Sequence, residues 1–206
     1  MTMRHMIHLL IAALSLMYLF APGIQGVALA DGNTVSQYQS GSDNIANVRQ
    51  TGLNNKAYEQ QYGSDNEADI AQDGDLDEAY QTQYGDGNLS EIDQSGQGNT
   101  ATTMQYGYGN YAVQWQNGLY NTAYIEQAGT DNWAEQYQSG GGNNAYISQE
   151  GDANSSYQKQ NGNNNYASST VIGSSNVSSQ IQNGNGLSSA VTLVGNGIVV
   201  SVIQGP

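Results

Sequence analysis

The chain has 206 residues, 18 acidic side chains against four basic ones, and no cysteine. Absence of cysteine excludes a disulfide framework and thiolate chemistry. So few lysines and arginines exclude a nucleic-acid surface, whose binding rests on neutralising phosphates.

Residues 1–30 have the layout of a secretory signal peptide. Arg4 and the free amine supply a short positive region, Ile7 to Phe20 is almost wholly apolar, and Ala28-Leu29-Ala30 puts small residues at the −3 and −1 positions of a cleavage site. Cleavage is predicted between Ala30 and Asp31. A membrane anchor is the weaker reading, because the apolar core is short and Pro22 and Gly23 break the segment after it. Both histidines, His5 and His8, fall in this leader, so the mature chain offers no imidazole for a catalytic triad or a metal site. Of the basic residues only Arg49, Lys56 and Lys159 then remain.

Residues 31–38 form a short N-terminal segment, and residues 39–206 a repeat domain. Its composition, rich in Gly, Asn, Gln, Ser and Tyr, would by itself suit a disordered polar segment. The order of the residues argues against that. From Gln39 the motif Gln-x-Gly-x-x-Asn-x-Ala-x-x-x recurs every 11 residues for 15 units without insertion or deletion, the last units diverging. Glycine holds its place at Gly41, Gly52, Gly63, Gly74, Gly85, Gly96, Gly107, Gly118, Gly129, Gly140, Gly151, Gly162, Gly173, Gly184 and Gly195. The Gln column runs through Gln39, Gln50, Gln61, Gln72, Gln83, Gln94, Gln105, Gln116, Gln127, Gln138, Gln149 and Gln160, takes Val171, returns at Gln182, takes Leu193 and ends at Gln204. The Asn column comprises Asn44, Asn55, Asn66, Asn88, Asn99, Asn110, Asn121, Asn132, Asn143, Asn154, Asn165 and Asn176, with Asp77 in one place; Leu187 and Ile198 end it. A small-residue column starting at Ala46 holds only Ala or Ser until Val200.

Each unit reads as a strand and a turn. Ala46, Val48 and Gln50 share one side of an extended chain, and Ile45, Asn47 and Arg49 the other. Gly accepts positive φ cheaply and Asn tolerates the left-handed region, so the two bracket the turn. Side chains match best at 22 residues: Tyr62, Tyr84 and Tyr106; Tyr58 and Tyr80; Ile70 and Ile92; Ile125 and Ile147. Two units therefore make one strand–turn–strand rung. The fold class is all-β, a parallel two-sheet solenoid of the cross-β type, with about seven rungs and a length of roughly 35 Å at the usual strand spacing.

In such a stack, Gln and Asn amides bond along their columns, each donating to one neighbour and accepting from the other. Acidic residues crowd four units, from Asp65, Glu67 and Asp69 through Asp73, Asp75, Asp77 and Glu78 to Asp86, Glu91 and Asp93. The nonapeptide of calcium-bound β-rolls is absent, so these read as a solvating face that slows self-association rather than as a metal site. Glu59 takes an inward phase that the pattern does not explain. Most tyrosines, with Trp115 and Trp133, take outward phases. The last units, with Val171, Ile172, Ile181, Leu187, Val191, Leu193, Val194, Ile198, Val199, Val200, Val202 and Ile203, are far more apolar and read as a cap, a nucleating edge or a docking segment.

The motif resembles the curlin repeat. The segment from Gln116 through Gly118, Asn121 and Ala123 to Gln127 matches it at every defined position, and the resemblance extends over residues 39 to about 204. It implies a subunit of curli fibres, the functional amyloid of Gram-negative bacteria: an extracellular, cell-surface homopolymer for adhesion and biofilm matrix. Periplasmic chaperones, an outer-membrane secretion pore and a second subunit of the same family are its implied partners. Major and nucleating subunits both remain open, although residues 160–206 lack the basic terminal repeat of the nucleator. No cofactor or catalytic residue is expected. A monomeric solenoid that binds ice or glycan is the competing reading, but Thr51, Thr82, Thr100, Thr122 and Thr130 occupy scattered phases rather than one array. An enzyme would have only carboxylates, Tyr, Ser and few Lys to work with, on a stack that predicts no cleft.

Overall fold

The structure, a computed structural model, describes residues 24–29 and 31–206. The predicted leader thus lies outside the described residues, apart from Ile24–Leu29. In chain order the strands are β1 (Ile24–Leu29), β2 (Thr34–Ser42), β3 (Ile45–Thr51), β4 (Lys56–Ser64), β5 (Glu67–Asp75), β6 (Glu78–Asp86), β7 (Leu89–Gln97), β8 (Thr100–Tyr108), β9 (Tyr111–Leu119), β10 (Thr122–Thr130), β11 (Trp133–Gly141), β12 (Asn144–Asp152), β13 (Ser155–Asn163), β14 (Tyr166–Ser174), β15 (Val177–Asn183), β16 (Ser188–Asn196) and β17 (Val199–Gln204). Odd strands form one sheet and even strands the other, each in sequence order and parallel throughout.

Pairing always joins residues 22 apart: Ala46 with Ala68, Tyr58 with Tyr80, Ile125 with Ile147. The rung is therefore two units, as the side-chain matches require. Among the described residues the even sheet has eight strands, which makes eight rungs rather than seven. The extra rung arises at the ends. β2 begins at Thr34, upstream of the first motif Gln, and β16–β17 keep the pairing after the motif residues have been replaced by aliphatics.

Alternation fixes the faces. In β4, Ala57, Glu59 and Gln61 are buried while Lys56 and Gln60 are exposed, and every later strand to β16 repeats the phase. Three inward columns result, of small residues, of mixed residues and of Gln. The mixed column is complementary between sheets. Odd strands supply Val48, Ile70 and Ile92 where even strands supply Gln37, Glu59 and Gln81; even strands then supply Ile125 and Ile147 where odd strands supply Gln114, Gln136 and Gln158. Aliphatics of one sheet pack on alanines of the other, Ile70 and Ile92 with Ala57, Ala79 and Ala101, and Ile125 and Ile147 with Ala112 and Ala134. The small column leaves room between the sheets for these side chains to pack.

Most connections are only two residues, such as Asp65-Asn66 between β4 and β5. Here the expectation that the column Asn takes the left-handed conformation is corrected. Positive φ falls on the preceding residue, Asp65 at 57°, Leu76 at 62° or Tyr120 at 55°, and on the glycine column. The Asn is kept for a hydrogen bond instead. The glycines serve both backbone conformation and close approach: Gly118 has φ 135°, and a Cβ there would overlap the carbonyl oxygen of Gly140 in the next rung.

Gly118→Ala should therefore lower stability by more than about 3 kcal/mol. Gly186→Ala, where a Cβ meets nothing within 4 Å, should cost only the left-handed penalty of about 1–2 kcal/mol. Thermal or urea unfolding of the two variants checks the contrast.

Candidate assembly ladder

The Gln column forms two continuous ladders. On even strands Gln39 Nε2 donates to Gln61 Oε1, and the chain proceeds through Gln83, Gln105 and Gln127 to Gln149 with N···O distances of 2.7–3.0 Å. On odd strands it runs from Gln50 through Gln72, Gln94, Gln116, Gln138, Gln160 and Gln182 to Gln204 at 2.7–2.9 Å. The second amide hydrogen crosses to a backbone carbonyl of the other sheet, as from Gln116 to Thr100 at 3.0 Å. These amides are buried, so each bond also spares a desolvation cost of about 1–3 kcal/mol for an orphaned group. The even ladder stops at Gln149, which turns to Ser156 Oγ and the Trp133 carbonyl because Val171 and Leu193 follow.

The Asn column lines the corners and runs the other way. Asn121 Nδ2 donates back to Asn99 Oδ1 at 3.1 Å and forward to the Gly140 carbonyl at 3.0 Å, while its backbone N–H also donates to Asn99 Oδ1. One carboxamide thus ties three successive rungs at the corner, and the glycine column supplies the receiving carbonyl. Asn66, Asn88, Asn110, Asn132, Asn154 and Asn176 repeat this on one edge, where Asn44 starts the column with its forward bond to the Gly63 carbonyl. Asn99, Asn121 and Asn143 hold it on the other, where Asn55 and Asp77 precede them; Asn165 keeps the backbone bond to Asn143 Oδ1 and the forward bond to the Gly184 carbonyl. Leu187 and Ile198 lack the side chain, yet their N–H groups still donate to Asn165 and Asn176 at 2.9 Å.

Sequence reasoning missed two parts of this site. Asn33 belongs to the Asn column: its Nδ2 donates to the Gly52 carbonyl and its Oδ1 receives the Asn55 N–H, both at 2.8 Å. Counting from Gln39 hid it, although it lies 11 residues before Asn44. A second inner amide ladder joins Gln114, Gln136, Gln158 and Gln180 at 2.7–3.1 Å. Its signal was a Gln two residues before the motif Gln in alternate units only.

The outer faces carry aromatic columns and the acids. Tyr62 stacks on Tyr84 with centroids 4.6 Å apart, Tyr58 on Tyr80 at 5.0 Å and Tyr124 on Tyr146 at 5.1 Å. On the odd sheet, Asp69 and Glu91 are register neighbours; burial, then the charges of Asp69 and Asp93, push the Glu91 carboxyl up. The Lys56–Glu78 pair at 2.8 Å is solvent-exposed and so contributes little.

At the N-terminal end, among the described residues, two buried acceptors lack donors, Gln39 Oε1 and Gln50 Oε1. Gln39 lies on the open edge strand of the even sheet; Gln50 lies beneath β1, where its register partner Ala28 has no side-chain donor.

The family model for the curlin associated repeat matches residues 41–74, 63–96, 96–129 and 129–157, together more than half the chain. No curated protein matches the chain.

Replacing one ladder member tests its weight. Gln116→Leu leaves Gln94 Nε2, Gln138 Oε1 and the Thr100 carbonyl without their partner, and should cost about 2–5 kcal/mol. The exposed Asn117→Ala should stay within about 0.5 kcal/mol of wild type. Paired denaturation midpoints decide the matter.

Proposed function

The chain belongs to the curlin family, and from that membership we propose that it is a structural subunit of an extracellular, curli-type amyloid fibre serving adhesion and biofilm matrix. It polymerises by adding rungs, so that each subunit extends the two sheets of the one before. Family membership further suggests chaperoned export through an outer-membrane pore and growth from, or as, a nucleating subunit. Between the subunit types, the absence of Lys and Arg from residues 160–206 favours the fibre-forming one.

The observation that carries this reading is the unfinished ladder. Gln50 Oε1 ends the N-terminal side without a donor, whereas Gln204 at the other end gives one amide hydrogen to the Ser188 carbonyl and keeps a second. Head-to-tail stacking in the same 22-residue register sets Gln204 of one subunit over Gln50 of the next, and the odd ladder continues across the junction. The even ladder does not, since Leu193 would lie over Gln39. Junctions therefore carry one such amide bond, as the last rungs of the chain do, where the rungs from Gln39 to Gln149 carry two. Cleavage at the predicted site after Ala30 removes β1 and uncovers the β3 edge for this contact. Unpaired strand edges of this kind recruit further chains.

Purified chain beginning at Asp31 should polymerise with a lag that preformed fibres abolish. Fibre diffraction should give spacings of about 4.8 Å along the axis and about 10 Å between sheets. Protein that stays monomeric for days at micromolar concentration, with or without seeds, would overturn the reading.

A further inference from the structure

Two carboxyl groups stand where the ladders require amides. In the odd inner ladder Gln114, Gln136 and Gln158 each give one hydrogen to the next Gln along the column and one to a backbone carbonyl opposite, as Gln114 does to Gln136 Oε1 and the Thr102 carbonyl. In the corresponding column of the even sheet, Gln37, Glu59 and Gln81 stand in succession. Gln37 Nε2 donates to Glu59 Oε2 at 2.7 Å, and Gln81 makes its expected bond to the backbone, to the Asp69 carbonyl at 3.0 Å. Between them the ladder fails. Glu59 Oε1 and Gln81 Oε1 are both buried without a partner, two acceptors on register neighbours with no hydrogen to share. Asp77 repeats the fault in the Asn column. Its Oδ1 receives the N–H and Nδ2 of Asn99, but Oδ2, which replaces the nitrogen that other columns direct at a glycine carbonyl, is buried and unpaired. Gly74, three residues before it, is the one column glycine outside positive φ among the described residues.

We infer that Glu59 and Asp77 are neutral carboxylic acids in the folded chain, their protons completing the two ladders and making the fold a proton-linked state. The Glu59 hydroxyl donates to Gln81 Oε1, and the Asp77 hydroxyl to the Gly96 carbonyl that an Asn at this place would serve. Each acid then imitates the amide it replaces, and the orphaned oxygens vanish together. The alternative, a carboxylate with no cation beside it in the core, is the costliest arrangement a buried side chain can adopt.

The surroundings agree. Gln37 and Gln81 flank Glu59 in its own sheet and Val48 and Ile70 occupy the matching column of the other, none of them ionisable; the charge that reaches it is that of Asp69 on β5, also negative. Asp77 lies between Asn55 and Asn99 and feels the negative Asp75. Lys56 and Glu78 pair with each other on the outer face. Burial first, then these charges, push both carboxyls up, Glu59 well above its ordinary 4.5 and Asp77 above 3.8. Because the folded values are raised, folding takes up protons. The contribution is fully present below the ordinary values and is lost as pH rises through the folded ones, by up to about a factor of ten per pH unit for each site.

The test compares the chain from Asp31 with Glu59→Gln/Asp77→Asn, and with the exposed control Glu150→Gln/Asp131→Asn, which removes the same charge. The soluble protein left after assembly should climb steeply in wild type and control between pH 5 and pH 7.5. In the Glu59/Asp77 variant it should be nearly flat and at least tenfold lower at pH 7.5. Infrared spectra of the folded protein at pH 6 should show a carboxylic C=O band that is diminished in this variant alone, any share from Glu91 being common to all three proteins. The inference is overturned if the variant tracks the control, or if wild type has no such band. That band is read on whatever folded form the chain adopts, monomer or fibre, so its failure is distinct from failure of the fibre reading.

Discussion

Parallel stacking at a 22-residue offset puts like side chains over like, and the structure depends on which groups can pair with copies of themselves. A carboxylate or an ammonium cannot, because identical charges repel. An alkyl side chain can, but only through contact area. A carboxamide holds donor and acceptor on one planar group, so a column of identical copies at the strand spacing satisfies itself indefinitely. That property explains a core in which Gln and Asn outnumber large aliphatics and are as fully buried as Ile92 or Ile147. Gln ladders donate towards the C-terminus and Asn ladders towards the N-terminus, so interior and corners are held by opposed chains of dipoles.

The same geometry dictates the glycines and the strict period. Where the chain passes from one sheet to the other, successive rungs approach so closely that the carbonyl of one occupies the space of a Cβ in the one before, from Gly41 over Gly63 to Gly173 over Gly195. Inserting a residue within a strand would move the side chains beyond it in that strand to the opposite face and break their column contacts together. Drift is confined to the ends. There Leu193 follows Val171 in the even Gln column, Val202 succeeds Gln180 and Val200 ends the small column, and an apolar cluster that includes Val191 takes over from the ladder.

Much of this was legible in the residues. Alternation of Ala46, Val48 and Gln50 gave the faces, and the recurrence of Tyr62, Tyr84 and Tyr106 gave the two-strand rung. What escaped depended on relations between sheets or on backbone geometry. The exchange of Ile and Gln between sheets, Ile92 on one and Ile125 on the other, appears only when facing columns are set side by side. The left-handed corner residue has no fixed identity, being Asp65, Leu76, Tyr120 or Ala153, so no column marks it. Glu59 stood out as an inward acid, but its meaning required the unpaired oxygen of Gln81.

The central claim is the 22-residue register, and spin labels in assembled fibres test it most directly. The chain has no cysteine, so pairs can be introduced at will, with labelled chains diluted into unlabelled ones to isolate contacts within a chain. Labels at Tyr62→Cys and Tyr84→Cys occupy adjacent strands of one sheet, whereas Tyr62→Cys and Asp73→Cys lie on opposite sheets. The 22-residue register gives strong dipolar broadening for the first pair and little for the second. Equal broadening in both, or none at residues 62 and 84, would contradict it.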